Sequence, residues 1–447
     1  MRKRLLTMLL ALSMVATTAV VPVSEPVSAV AATKKAAKKS TKKTTKKGTK
    51  KLTAKQKKAK ADKAAADKVA KLIDRIYVQN RTDTTDKDCK KAKLEWDKLT
   101  SAQKKLVEGE NADPDYFGRD TGDASADNPR NWNHIGENEI LVVSFGTSFN
   151  ESRAEDIGGV EDAIADQYER QGWKVRRAFT SQIIINHVQA RDGEKIDNVQ
   201  QALDRAVKNG VKNLVIQPTH LMQGKEYNEL KDEVNAYASR FQTVTFSEPL
   251  LGEVGKDTTT VNADKETVAK AVTAEAVKDN GDSSLEAAAA SGTAFVFMGH
   301  GTSHQAAITY DQMQSQIHDL GYKNVFIGTV EGKPADTACD QVIARIKAAG
   351  YKNVVLRPLM VVAGDHANND MAGDDSDSWR SQFVKAFGTK NVKCQIKGLG
   401  RIPEIEQIYI NHLARAVAGN KSLTVSAVTG SAIQAVKAPV SAKKKLS

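Results

Sequence analysis

The chain has 447 residues, 40% hydrophobic and 27% charged, enough apolar material for one large or two medium globular domains with a buried core. Its formal charge of +12 suggests nucleic acid until the charge is located: residues 33–60 hold fourteen lysines and no acid, and without them 52 basic residues face 54 acidic ones. No aromatic residue interleaves with those lysines for base stacking, so no nucleic-acid partner is expected.

In chain order, Met1-Arg2-Lys3-Arg4 precedes an apolar run from Leu5 to about Val21 and small residues ending Ala29-Val30-Ala31. Residues 1–31 read as a cleavable signal peptide, with a retained membrane anchor as the other reading. The expectation is an exported protein: extracellular, cell-surface or periplasmic. Residues 32–60 repeat Lys-Lys between Ala, Ser, Thr and Gly, cannot bury apolar area, and read as a disordered tail. It would either lie on an anionic cell-wall polymer or membrane surface or serve as a solvated spacer.

Over residues 61–107 the spacing becomes helical, with one stripe of Val69, Leu72, Ile73 and Ile76 and another of Leu94, Trp96, Leu99 and Leu106. Thr100-Ser101-Ala102-Gln103 supplies an N-cap between helices. The phrases VAKLIDRI and WDKLTSAQKKLV resemble small helical modules of Gram-positive surface proteins, which implies a spacer or attachment role. Residues 108–136, rich in Asp, Asn, Gly and Pro, read as a linker. The three cysteines, Cys89, Cys339 and Cys394, lack a Cys-x-x-Cys spacing and encode neither a disulfide framework nor a zinc knuckle; one disulfide is left open.

From residue 137 short runs rich in Val, Ile and Phe alternate with amphipathic stretches, helices being expected over about 153–171, 198–209, 226–240 and 336–349. This predicts an α/β fold of two similar Rossmann-like halves with parallel sheets, over 137–252 and 293–418. Residues 253–292 read as an excursion between the halves and 419–447 as a weakly ordered tail. The halves repeat letters: ILVVSFGTS from Ile140 matches FVFMGHGTS from Phe295, and GVKNLVIQP from Gly210 matches GYKNVVLRP from Gly350. Six residues after each proline comes Gly224 or Gly364, so the pattern indicates a duplicated unit facing itself across a cleft.

Ligands in open parallel sheets sit outside the carboxyl ends of the strands, where the polar exceptions fall. His300 lies between two glycines, Glu331 ends the next strand, and His366 follows Gly364-Asp365 ahead of Asn368, Asn369 and Asp370. Two imidazoles and a carboxylate from three strand ends suit a divalent first-row metal with positions left open for exchange. His304 reads as a rim residue. The first half offers Ser144, Thr147 and Ser148 in its matching loop, with Phe145 in place of His300 and Glu226 in place of His366. His220 could reach the cleft from the opposite side or serve as a core histidine. No phosphate-binding loop, dinucleotide fingerprint or Gly-x-Ser-x-Gly elbow is present.

The strings SFGTSF, RAFTSQIIINHVQARDG, MGHGTSH and MVVAGDHANNDMAGDDSDSW resemble the anaerobic-pathway sirohydrochlorin cobaltochelatases, relatives of ferrochelatase, over residues 138 to about 417. The resemblance implies an ATP-independent lyase of the cobalamin pathway that inserts Co2+, its substrate metal, into a tetrapyrrole. It places the metal and catalytic roles on His300, Glu331 and His366, with macrocycle contacts expected at Ser144, Thr147, Ser148 and His220. Residue types alone do not separate cobalt from Fe2+ or Ni2+. The exported layout departs from a cytoplasmic pathway and keeps a second reading open: a surface tetrapyrrole, haem or metal binder without turnover. Whether copies assemble as a homo-oligomer is left open.

Overall fold

A computed structural model describes residues 53–118 and 122–429, with side chains up to residue 419. The signal peptide, all but the end of the Lys-rich tail and residues 430–447 lie outside the described residues.

Residues 138–418 are built on two four-stranded parallel sheets. The first contains β1 (Asn138–Ser144), β2 (Lys174–Phe179), β3 (Asn213–Pro218) and β4 (Thr243–Phe246), in the order β2-β1-β3-β4. The second contains β5 (Thr293–Gly299), β6 (Val325–Thr329), β7 (Asn353–Pro358) and β8 (Val392–Cys394), in the order β6-β5-β7-β8. Every residue of β5 is buried, and so is β1 after its first residue, because helices cover both faces; that is why these strands read as continuous apolar runs. The register repeats as well. Val143 pairs with Pro218 in the first half, and Met298 with Pro358 at the matched positions of the second. In each sheet the connections leave the two central strands in opposite directions, which opens a crevice beyond the ends of β1 and β3 and of β5 and β7.

The halves share one apolar core that includes Val142, Val215, Phe295, Val355, Leu399 and Tyr409. The helix Pro403–Thr429 leaves the second half and crosses to the first, where Tyr409 Oη donates to Thr219 O at 3.2 Å and Tyr168 Oη donates to Ile410 O at 3.1 Å. It continues past residue 418, where the weakly ordered tail was expected to begin.

Several expectations change. The segment 253–292 is built into the core rather than forming an excursion: helix Ala263–Asn280 buries Val268, Ala269, Val272 and Ala276 completely, and small side chains at helical spacing allow that close packing. Strand β8 was not foreseen, since three residues with a central lysine carry no periodic signal; pairing with β7 creates it. The Lys-rich tail is helical from Ala54, because Lys and Ala favour helix and Lys58 pairs with Asp62 at 2.6 Å. All three cysteines are free thiols.

In the N-terminal helices Ala54–Ile76 and Thr85–Asp97, the stripe of Val69, Leu72, Ile73 and Ile76 is buried as expected. The second stripe differs: Leu94 and Leu106 are exposed, and Cys89, Ala92 and Trp96 face inward at the true helical spacing. Thr100 and Gln103 form a reciprocal capping box. The segment read as a linker is pinned. Asp74 accepts from the backbone N–H groups of Asn111 and Ala112, Tyr116 stacks on His187 at 4.5 Å, and the buried Asp127 carboxylate accepts from Arg153 Nε and Arg177 Nη1, each at 2.7 Å. Charge pairing with strand β2 fixes a stretch whose composition alone suggests freedom.

Candidate metal centre

The loop after β5 is shaped by two glycines around His300. A Cβ on Gly299 would meet the Tyr310 ring at 2.3 Å, and one on Gly301, where φ is +91°, would meet Glu331 Cβ at 2.9 Å. This close approach brings two expected site residues together: Glu331 N donates to His300 O at 3.0 Å. Tyr310 Oη accepts from Gly301 N at 3.1 Å and holds the loop from below.

His366 opens a wide i→i+5 turn over His366–Met371 beyond β7. The turn is tied to the opposite half by Ser152 Oγ, which donates to Ala363 O at 2.8 Å, and by Asp156, which accepts from Ala363 N at 2.9 Å. The His300 and His366 rings meet edge to face with centroids 4.6 Å apart.

Their hydrogen bonds settle the tautomers. His300 Nδ1 lies 2.8 Å from Gly301 O, and His366 Nδ1 lies 2.5 Å from Asp370 Oδ2. A carbonyl and a carboxylate only accept, so each Nδ1 carries a proton, and in the neutral ring each Nε2 keeps a free lone pair. Burial, and then the neighbouring His366, pushes the His300 imidazole below its ordinary range and keeps it neutral. Burial also pulls on His366, but the bonded Asp370 carboxylate, aided by Asp365 and Glu331, outweighs it and leaves that imidazole above its ordinary value.

Glu331 is partly exposed and paired with Lys333 at 3.2 Å. Among the described residues no three His, Cys, Asp or Glu side chains are grouped closely enough to hold an ion, so the two imidazoles are together while the carboxylate is engaged elsewhere. His304 caps the following turn, its Nδ1 accepting from Ala306 N at 3.1 Å.

On the other wall, Ser144 is fully buried and its Oγ is bonded to Thr219 Oγ1 at 2.7 Å; Thr147 is also buried, with Oγ1 accepting from Phe149 N. Ser148 alone of the three keeps partial exposure. The His220 side chain is 8% exposed, neither ring nitrogen has a hydrogen-bond partner among the described residues, and Nε2 lies 3.9 Å from Glu226 Oε2. Burial pushes this imidazole down to about 4. Desolvation, and then Glu229, pushes the Glu226 carboxyl up, and its field reaches His366 and Tyr310.

Asp370, among the polar residues that follow His366, is the specific partner of its ring. Its i,i+4 spacing from His366 was the available signal for a specific partner. The anchoring of the β7 loop by Ser152 and Asp156, more than 200 positions away in sequence, had no such signal.

A family model described as cobalt chelatase (CbiK) matches residues 138–418. The chain is 33% identical over 279 residues to the sirohydrochlorin cobaltochelatase of Salmonella typhimurium strain LT2, covering 62% of this chain and 96% of that protein. It is 28% identical over 280 residues to the sirohydrochlorin cobaltochelatase CbiKC of Nitratidesulfovibrio vulgaris strain Hildenborough, covering 62% of this chain and 90% of that one. Among solved structures, SirB from Bacillus subtilis with Fe3+ aligns with a TM-score of 0.45 and 16% identity, over 64% of this chain and 98% of that chain.

Proposed function

Because the chain belongs to the cobalt chelatase (CbiK) family and is therefore a metal chelatase, we propose that it inserts Co2+ into a sirohydrochlorin-type tetrapyrrole without ATP, at His300, His366 and Glu331. The observation that carries this reading is the pair of imidazoles at 4.6 Å, each with Nδ1 occupied and Nε2 open. Two neutral nitrogens hold a partly desolvated divalent ion without trapping it. Glu331 leaves Lys333 to complete the set as the cation arrives, since a divalent charge attracts the carboxylate more strongly than a half-exposed ammonium does.

Insertion forms four metal–nitrogen bonds and releases two pyrrole protons. Those protons pass to His366, whose imidazole the Asp370 carboxylate raises, as the metal leaves its Nε2, and to Glu226, whose raised carboxyl favours the protonated form. Asp370 holds the His366 ring in one tautomer throughout. Ser148 touches the macrocycle edge, while Ser144, Thr147 and His220 shape the wall from within. Fe2+ and Ni2+ compete for the same donors, and supply decides among them.

Export is part of the proposal: the N-terminal apolar run and the lysine-rich repeat support it, and the tail contacts anionic wall polymer or lipid. Cell fractionation with an antibody to the chelatase part tests this, and a purely cytosolic signal rejects it.

The chemistry is tested by anaerobic incubation of the purified chain with sirohydrochlorin and Co2+, followed by absorbance. Multiple turnovers that His300→Ala abolishes are expected. An unchanged rate in that variant overturns the assignment, and tight binding without turnover replaces it with the scavenger reading.

A further inference from the structure

We infer that Phe145 is the surface on which the macrocycle stacks, on the wall opposite the two imidazoles, and that its lack of a ligating atom confines metal capture to the His300 side. The inference rests on the chelatase reading above and names how the same cleft holds its planar substrate.

Phe145 follows β1 as His300 follows β5. The strand registers agree at the matched positions, and the next residue is a left-handed glycine in both loops, with φ +100° at Gly146 and +91° at Gly301. The two loops thus share a backbone form and stand at the switch points of their two sheets. The walls are close: a Cβ on Gly364, two residues before His366, would lie 3.2 Å from Thr147 Oγ1, two residues after Phe145.

Phe145 is 47% exposed; the other exposed large apolar side chain among the described residues beyond 137 is Ile396, at 38%. Its backbone is not loose. Ser181 N donates to Phe145 O at 3.2 Å and Thr180 N donates to Ser144 O at 2.9 Å. The space beneath the loop is filled, since a Cβ on Gly146 would meet the Phe179 ring at 2.5 Å. An aromatic ring held out in water on an ordered backbone is unfavourable unless a flat apolar partner covers it.

A conjugated macrocycle is such a partner. Stacked on Phe145, it turns its second face to the imidazoles, so metal enters from one side and the product gains no second axial ligand from the protein.

The test uses the full chain with Phe145→Ala, Phe145→Tyr and Phe145→His, each checked for an unchanged thermal midpoint. Metal-free sirohydrochlorin binding is followed by fluorescence quenching and Co2+ insertion by absorbance. Phe145→Ala is expected to weaken macrocycle binding about tenfold and raise its KM equally, leaving the KM for cobalt unchanged, and Phe145→Tyr to restore both. Phe145→His is expected to stop near one turnover per chain, with the product retained and its absorption band shifted by the added imidazole. Unchanged macrocycle binding in Phe145→Ala overturns the stacking role; free product release from Phe145→His overturns the one-sided arrangement. If the wild-type chain inserts no cobalt while Phe145→Ala still loses macrocycle binding, the chelatase reading fails and the stacking surface stands.

Discussion

Replacing Asp370 by asparagine removes one negative charge from beside His366 Nδ1 while preserving the shape of the loop. The bond is 2.5 Å long and both side chains keep less than a third of their surface, so solvent screens it only in part. A charge-assisted bond of this kind contributes about 1.5–3 kcal/mol. Loss of such a partner behind a metal-binding imidazole lowers affinity or activity about 10- to 100-fold, which is about 1.4–2.7 kcal/mol, so the two scales agree. The pH dependence has a definite sign. Asp370 raises the His366 imidazole, so with His366 as the proposed ligand protons compete with cobalt for Nε2 at a higher pH than they would without the carboxylate. In Asp370→Asn the acid limb of kcat/KM for cobalt should therefore move to lower pH, while the plateau falls about 10- to 100-fold. Asp370→Leu loses orientation as well as charge and should fall further. Steady-state insertion followed from pH 5.5 to 8.5 measures both effects. An unchanged plateau together with an unmoved acid limb would refute the role given to this pair.

Lys333→Met frees Glu331 from an ion pair of the half-exposed kind, worth about 0–1 kcal/mol, and should lower the KM for cobalt by up to about fivefold; a raised KM counts against the carboxylate being held in reserve. His220, pushed down to about 4 by burial, is neutral when folded, so its stability contribution is complete above about pH 6.5 and is lost as pH falls toward 4, by about 3 kcal/mol in all. Urea midpoints at pH 7.5 and 4.5 should therefore differ less in His220→Gln than in the wild type, and equal differences reject this. Asp127→Ala removes the carboxylate shared by the buried Arg153 and Arg177, which keep Glu194 and Glu161 as partners, and should cost about 1.5–3 kcal/mol, with new protease cleavage between residues 108 and 136; an unchanged melting midpoint would show the segment is not pinned through this carboxylate.

Much of the molecule was legible in the letters. Strands buried on both faces leave unbroken apolar runs, and the matched Gly-Thr-Ser and Lys-Asn phrases announced a duplication that the shared strand order and register repeat. His300 and His366 stood out because a polar side chain at the end of such a run has no core to join. Burial periodicity was less secure in the helices. Leu94 and Leu106 have the right chemistry for a stripe, but the helix turns Leu94 outward and Cys89 inward beside the expected Trp96, and Leu106 lies exposed in a turn beyond it.

By itself the sequence determined the α/β class, the two halves and the strand ends that carry the histidines, because those follow from local periodicity and from each residue's position in its own strand. Tertiary structure decided which ring nitrogens remain free, that Glu331 is paired with Lys333, that Asp127 ties down the supposed linker, and that Phe145 is left facing solvent. These depend on partners brought together by packing, some more than 200 positions apart, and a hydrogen bond or ion pair across that distance leaves no periodic trace along the chain.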